Sequence, residues 1–302
     1  MNRSAPRSIE QYLKALREEL AGEDAALIQD ALYDAEEYLR AEVAAHPDKS
    51  ESDVLELIAS TYGAPDEVAS AYRDTEAKVK AAMTAPRKIA NSGAGAFFGV
   101  FLDPRAYTSL FFMLLSLATG VIYFTFAVTG LSLSAGLAVL VIGLPFFLVF
   151  MALTRVVSLA EGRLIEAMTG ERMPRRPVHQ GVAEGFWSRV GQMLKDRRTW
   201  TTLAYLILML PLGIVYFVMA VVGLSLGLSF IFAPLAGLAE RFGWVDLPGD
   251  MYMNSVWLDS LWALPLMVLA GVVLLTLLMH LARGVGRLHA MYAKALLVSP
   301  AK

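Results

Sequence analysis

Between Ala106 and Thr154, and again between Trp200 and Ala239, the chain carries no Asp, Glu, Lys or Arg. Roughly 20 consecutive apolar residues already suffice to cross the hydrocarbon core of a bilayer, so runs of this length point to membrane spans. The runs are also related to one another. Asp103, Arg105, Tyr107 and Thr108 lead into Gly120, Tyr123 and the exit Gly130-Leu131-Ser132-Leu133, while Asp196, Arg198, Trp200 and Thr201 lead into Gly213, Tyr216 and Gly223-Leu224-Ser225-Leu226, at a constant shift of 93 residues. A fixed period of this kind marks a duplicated unit. Gly162-Arg163-Leu164 and Gly286-Arg287-Leu288 close the two units at a shift of 124, which places 31 extra residues between Leu226 and Gly286. The sequence therefore predicts an all-α protein. A small soluble helical domain precedes a polytopic membrane domain of two repeated hairpins, four transmembrane helices in all.

The expected spans are about 107–129, 133–153, 200–222 and 261–281, with Gly130-Leu131-Ser132 as the first hairpin turn. Gly223 to Leu238 is apolar but interrupted by glycines and Pro234, which leaves a re-entrant and a surface-lying course both open. Phe97 to Leu102 is too short to span and rich in aromatics, which suits an interfacial entry. Arg155, Arg163, Arg172, Arg175, Arg176, Arg189, Lys195, Arg197 and Arg198 crowd the connector at 155–200, so the positive-inside rule places it, with both termini, in the cytoplasm. Within it, Met173-Pro174-Arg175-Arg176-Pro177 reads as an irregular break. Val182, Phe186, Val190 and Leu194, beside Trp187, have the spacing of an amphipathic surface helix. An outer loop is expected over 227–260.

Charge divides the chain. Residues 1–90 hold 11 Lys/Arg against 18 Asp/Glu, whereas residues 91–302 hold 15 against 10. The acidic part, 1–80, shows four helical patterns. Ser8 caps the first, which ends at Gly22; Asp24 caps a long second; Ser52 and Asp53 open a short third that stops at Gly63; Pro65 starts the fourth. Leu13, Leu16, Leu27, Leu39, Leu57 and Tyr72 are the expected shared core. Asp30, Asp34 and Glu37 lie on the other side of helix two, as a solvated face or as a surface for a basic partner. Residues 81–104 read as a linker and interfacial segment.

Chemistry has little to work with. The chain has no cysteine and four dispersed histidines; His280 falls at the inner end of a span and His289 in the tail, each satisfied or solvated rather than metal-binding. No catalytic, cofactor or metal constellation is expected, and the charge-free spans argue against an ion pathway. Gly120, Tyr123, Ser132, Gly213, Tyr216 and Ser225 are expected to pack helices closely. Trp244, Asp246, Asp250, Tyr252 and Trp257 give the outer loop either an aromatic anchor or a ligand-sensing face.

Two resemblances add to this. The acidic second helix, the Tyr62-Gly63 stop and the Ala64-Pro65-Asp66-Glu67-Val68-Ala69 start resemble the HAAS family of small helical signalling domains, over roughly Ile9 to Arg73. Membrane proteins with that module are often encoded beside PadR-type winged-helix regulators, so the resemblance implies a protein partner. The repeated hairpin, with Pro211-Leu212-Gly213-Ile214-Val215-Tyr216-Phe217 and Gly223-Leu224-Ser225-Leu226, resembles the sensor-domain family of bacterial membrane signalling proteins, over roughly Arg105 to Val298. The Glu-Arg pair often seen after the second span stands here as Glu161-Gly162-Arg163. No kinase, cyclase or DNA-binding domain follows Lys302 in this sequence, so output is expected through the N-terminal module or the connector.

The expected function is thus a non-enzymatic sensor of the bacterial inner membrane that acts on a cytoplasmic regulator without direct nucleic-acid binding. Homo-oligomerisation is open to it. The rival is a structural or accessory subunit of a membrane complex. The cysteine-free background makes topology directly testable: an impermeant maleimide is expected to label a cysteine at Ser255 and not one at Ser188, and the reverse pattern overturns the orientation.

Overall fold

The computed structural model describes residues 6–83, 93–140, 143–176, 191, 194–245 and 262–298. Every regular element among them is helical: α1 (Ile9–Glu19), α2 (Ala25–Ala45), α3 (Glu51–Ala59), α4 (Pro65–Met83), α5 (Gly93–Phe98) with a 3₁₀ turn (Gly99–Leu102), α6 (Pro104–Leu137), α7 (Gly143–Thr169), α8 (Arg197–Arg241) and α9 (Ala263–Leu297). The last four are long and apolar enough to cross a membrane. The chain clusters into two compact units. One holds Met1–Arg87, Ala127–Tyr205 and Ala290–Lys302; the other holds Lys88–Phe126 and Leu206–His289.

In the first unit, local signals set the helix ends. Ser8 accepts from the Gln11 amide, Asp24 from Ala26 and Ser50 from Asp53, each satisfying an orphan donor of a first helical turn. Glu67 reaches back to accept from the Ala64 amide at 3.1 Å, beside Pro65 at the first helical position. Gly22 and Gly63 take φ of 92° and 102°, a region that costs glycine little. Tyr12, Leu16, Leu20, Leu27, Ala31, Ala35, Leu39, Val54, Leu55 and Ile58 form the core, with Tyr62 stacked on Tyr38 at 4.4 Å. One expected core residue is misplaced. Leu57 is 48% exposed and Leu55 is buried in its stead, because the face of α3 that packs on the shared core is that of Val54, Leu55 and Ile58.

The hairpin breaks also fall later than the sequence suggested. Gly130-Leu131-Ser132 is not a turn. Helix α6 runs through it to Leu137, since no charge or proline interrupts the run and an unbroken helix satisfies its own backbone in an apolar medium. The Gly130 position is pressed against the Phe150 ring of α7. Likewise α8 does not end near Val222, and 224–238 is neither re-entrant nor a separate surface segment; the helix continues through Pro211 and Pro234 for 45 residues. It stops at Gly243, φ 69°, where Trp244 N–H donates to Ala239 O and Gly243 N–H to Glu240 O at 2.9 and 2.8 Å, the six-to-one and five-to-two pair of a Schellman end. The 227–260 loop thus begins as helix. Helix α7 likewise carries the first part of the 155–200 connector to Thr169.

In the second unit, glycines set the helix contacts. A Cβ on Gly120 would stand 2.7 Å from Met209 O, and one on Gly213 would stand 2.2 Å from Ser116 O. The contact is reciprocal: 116 and 120 on α6 meet 213 and 209 on α8, positions related by the 93-residue shift. Further along, Gly223 and Gly227 of α8 face Leu278 and Leu275 of α9, and Gly271 of α9 faces Ile231 and Gly227 O. Such small-residue approaches replace the hydrophobic drive that lipid removes. Near the start of α6, His280 Nε2 lies 2.9 Å from Phe97 O with the two rings stacked, and Val100, Ala106 and Met279 pack together. Phe97 is thereby docked on α9. Gly213→Leu is expected to lower the melting temperature of the detergent-solubilised protein, while Gly136→Leu, where nothing lies within 4 Å, is tolerated; equal melting of the two variants contradicts the close α6–α8 contact.

Candidate functional site

Among the described residues, a dense polar constellation outside the helix caps is built on α2. Because α2 buries Leu27, Ala31, Ala35 and Leu39 toward its own domain, positions 29, 30, 33 and 34 fall together on the opposite side at helical spacing. Helix α4 adds Tyr72 and Glu76, again four apart. Against these side chains lies the segment that follows α7. Gly170, φ 74°, ends α7 and donates its N–H to Glu166 O at 2.9 Å. From Glu171 the chain leaves helix, and Pro174 within it favours an extended course for Met173.

The segment is held along its length. Asp30 Oδ1 accepts from both the Arg175 and the Arg176 amide, at 2.8 and 2.9 Å, and Asp30 Oδ2 accepts from Arg172 Nη2 at 2.9 Å. Arg172 also donates to Glu76. Gln29 Nε2 donates to Arg176 O at 2.6 Å, and Arg198 Nη1 donates to Gln29 Oε1 at 3.2 Å; arginine has donors only, so it fixes which way the amide points. Arg176 Nε stands 2.8 Å from Asp34 Oδ1, its guanidinium lies over the Tyr33 ring, and Tyr72 donates to Asp34 Oδ2 at 2.9 Å. On the α7 side, Met173 is 1% exposed and sits over Gly162, while Arg175 pairs with Glu166 at 2.8 Å.

Electrostatics follow from burial. Loss of water pushes the Asp30 carboxyl up, and the Arg176 and Arg175 amides and the Arg172 guanidinium pull against that rise. Burial, reinforced by the Asp34 bond, also raises the Tyr72 phenol, while Glu166 holds Arg175 protonated more firmly than usual. The two ion pairs differ in kind. Arg172 and Asp30 retain 14% and 6% exposure, against 50% and 32% for Arg176 and Asp34.

Other helix ends meet the same unit. Lys294, near the end of α9, pairs with Asp24, the cap of α2. Tyr205 of α8 donates to the fully buried Glu161 of α7 at 2.8 Å and stacks on Tyr292 of α9. Helix α2 therefore touches the segment leaving α7, the start of α8 and the end of α9. Asp196 and Arg198 repeat the entry of α6: the Arg105 and Arg198 amides donate to Asp103 and Asp196 at 3.1 and 3.0 Å, and Tyr107 and Trp200 each donate to the carbonyl six residues upstream, Phe101 and Leu194.

The expected site residues separate accordingly. Asp30 and Asp34 come together on the connector, so Asp30 is buried rather than solvated, and only Glu37 of the three is exposed. Gly120 and Gly213 pack helices, and Tyr216 lies 3.4 Å from His289 Nδ1. His289 itself is fully buried, the satisfied rather than the solvated of the two expected cases, and lies within α9 rather than in a tail. Tyr123 is half-buried, and Ser132 and Ser225 are exposed; the packing positions in those two stretches are instead Gly130, Gly223 and Gly227. Trp244 is 78% exposed and stacks on Phe242. Asp246, Asp250, Tyr252 and Trp257, like the amphipathic pattern of Val182, Phe186, Trp187 and Val190, lie outside the described residues. Gln29, Tyr33, Glu76 and Arg172 were not singled out as contacts by sequence reasoning, although the Gly170 and Pro174 break among arginines was visible. Among the described residues no three metal-ligating side chains converge.

Four apolar spans and a helical module that holds the chain between the second and third define a multi-pass membrane protein. The family model described as Putative sensor matches residues 112–297, more than half of the chain, and the chain belongs to that family. No curated protein and no solved structure matched it.

Breaking a largely buried ion pair from one side costs about 3–5 kcal/mol, whereas a half-exposed pair contributes up to about 1 kcal/mol. Asp30→Ala is thus expected to destabilise the protein in chemical denaturation far more than Glu37→Ala. Double-mutant cycles are expected to give a larger coupling for Asp30 with Arg172 than for Asp34 with Arg176; the opposite order contradicts the burial argument.

Proposed function

We propose that this chain is a non-enzymatic sensor of the bacterial inner membrane that reports a change in the packing of its hairpins to a cytoplasmic regulator. The observation that carries the reading is the Gln29-Asp30 corner of α2, which holds both the exit of α7 and the entry of α8. A stimulus that shifts one hairpin against the other moves those two ends, and the shift reaches α2 directly rather than through the 81–104 linker alone. The basic connector and both termini face the cytoplasm in this reading. The N-terminal helices serve as a HAAS-type output module, and a PadR-type winged-helix regulator is the partner class to which that resemblance points. The reciprocal contact of Gly120 and Gly213 supports a duplicated hairpin as the element that rearranges.

A second reading, an accessory subunit of a membrane complex, draws on α8. Its uncharged stretch from Thr199 to Ala239 is about 60 Å long at 1.5 Å per residue, roughly twice the hydrocarbon thickness. Leu226, Leu228, Phe232 and Leu235 on it are exposed, a surface that other membrane helices could cover. Affinity purification of the full chain from native membranes separates the two. The sensor reading expects a cytoplasmic winged-helix regulator whose recovery falls with added salt and is lost on deleting residues 1–83. Recovery of membrane subunits alone, unaffected by that deletion, favours the accessory role and removes the regulator.

A further inference from the structure

A carboxylate that merely neutralises a basic surface pairs with whatever guanidinium is near. Asp30 does something narrower: one of its oxygens takes two successive backbone N–H groups, and the other takes a guanidinium three residues upstream of the first of them. Two consecutive amides converging on one anion require a particular local backbone course, and neither position can be proline, which has no N–H to give. Gln29 reads the next carbonyl, Arg176 O. The α2–α4 face therefore contacts main chain as well as side chain.

The side-chain contacts are equally selective by position. Arg172 fits between Asp30 and Glu76, and Arg176 fits at Asp34 over the Tyr33 ring. Arg175 hydrogen-bonds the face through its amide alone; its guanidinium bonds Glu166 on α7, and Asp30 and Glu76 attract it only at longer range. Pro174 and Pro177 bracket this stretch in the sequence and disfavour helix at Met173 and Arg176.

We propose that the Gln29, Asp30, Asp34 and Glu76 face is a recognition site for an extended segment of the pattern Arg-X-Pro-X-Arg, and that residues 172–176 of this chain are its tethered occupant. A partner carrying such a segment engages the module only as the connector leaves it. This deepens the sensor reading by stating the chemistry of what the module binds, and it rests on that reading only for where the competing segment comes from. Arginine at both ends is required by the two separate acidic pockets, whereas the fourth position tolerates any residue with an N–H.

The probe is a fluorescent peptide with the sequence of residues 170–178, titrated onto the full chain in zwitterionic nanodiscs. A tethered segment competes at an effective concentration of the order of millimolar, so the parent chain is expected to bind the peptide poorly. Arg172→Ala with Arg176→Ala in the chain weakens the occupant, and peptide binding is expected to tighten by about tenfold or more. Adding Asp30→Asn to that variant abolishes the gain. In the peptide, replacing the equivalent of Arg172 by Ala is expected to cost about tenfold, the scale of a charge-assisted hydrogen bond. Replacing the equivalent of Arg176, whose half-exposed pair with Asp34 is joined by the Tyr33 ring, costs about fivefold, and replacing the equivalent of Arg175, whose half-exposed guanidinium pairs with Glu166 off this face, about twofold. Equal loss at all three arginines, or equal binding of a scrambled peptide of the same charge, reduces the site to a generic acidic surface and overturns the proposal. So does absence of binding to a variant whose helicity matches the parent. Should the double variant lose helicity, Asp30→Asn in the otherwise unchanged chain is the second test. Tryptic cleavage after Arg172 and Arg175 is expected to accelerate, and an unchanged rate overturns the proposal as well. None of these readouts uses a regulator, so the site can stand where the sensor reading falls.

Discussion

A carboxylate removed from water must be met by donors, and Asp30 is met by three: two main-chain amides and a guanidinium. Without them a carboxylate 4% exposed would be unfavourable by several kcal/mol. Each donor belongs to the short stretch that follows α7, so the buried charge can be satisfied only with that stretch in place. The consequence is mechanical. Helix α2, whose other side is the core of the N-terminal domain, cannot keep Asp30 both dry and satisfied unless residues 172–176 hold their course, and that course is set by the end of α7 at Gly170. Gln29 extends the same dependence to Arg198 at the start of α8.

The apolar helices obey a different constraint. Lipid offers no gain for burying one aliphatic side chain against another, so close approach and van der Waals contact have to hold them together. That is where the glycines of α6, α8 and α9 are spent. Gly120 and Gly213 let two backbones approach until carbonyl oxygens fill the space a Cβ would need. The contact is reciprocal, with Gly120 of α6 against Met209 and Gly213 of α8 against Ser116. Entry geometry is repeated as well, with an Asp cap and an aromatic reaching back six residues in each, Tyr107 through its hydroxyl and Trp200 through its indole N–H.

Much of this was legible in the sequence because it rests on one-dimensional signals. Charge-free length gave the number of spans, the 93-residue shift aligned two entries that make the same hydrogen bonds, and Ser8, Asp24, Gly22, Gly63 and Pro65 marked helix ends through local chemistry. What failed depended on neighbours. Gly130 and Gly223 look like turn residues in isolation, and only the ring of Phe150 or the side chain of Leu278 facing them shows why a helix keeps them. Leu57 and Leu55 are equally apolar, and packing of α3 on the shared core chooses between them. The acidic face of α2 was visible, but its occupant was not, since Arg172 and Arg176 lie more than 140 residues away in the chain and basic residues there already had a sufficient explanation in membrane topology.

Helix α2 holds the segment between the second and third spans through that segment's main chain. Amide hydrogen exchange of the full-length protein in nanodiscs tests it at the atoms concerned. The Arg175 and Arg176 amides lie in a stretch without regular secondary structure, where exchange should be fast unless something accepts from them. If Asp30 does, both are protected in the parent protein and lose protection together in an Asp30→Ala variant while the amides of α7 keep theirs. Free-chain exchange at Arg175 and Arg176 in the parent contradicts the account.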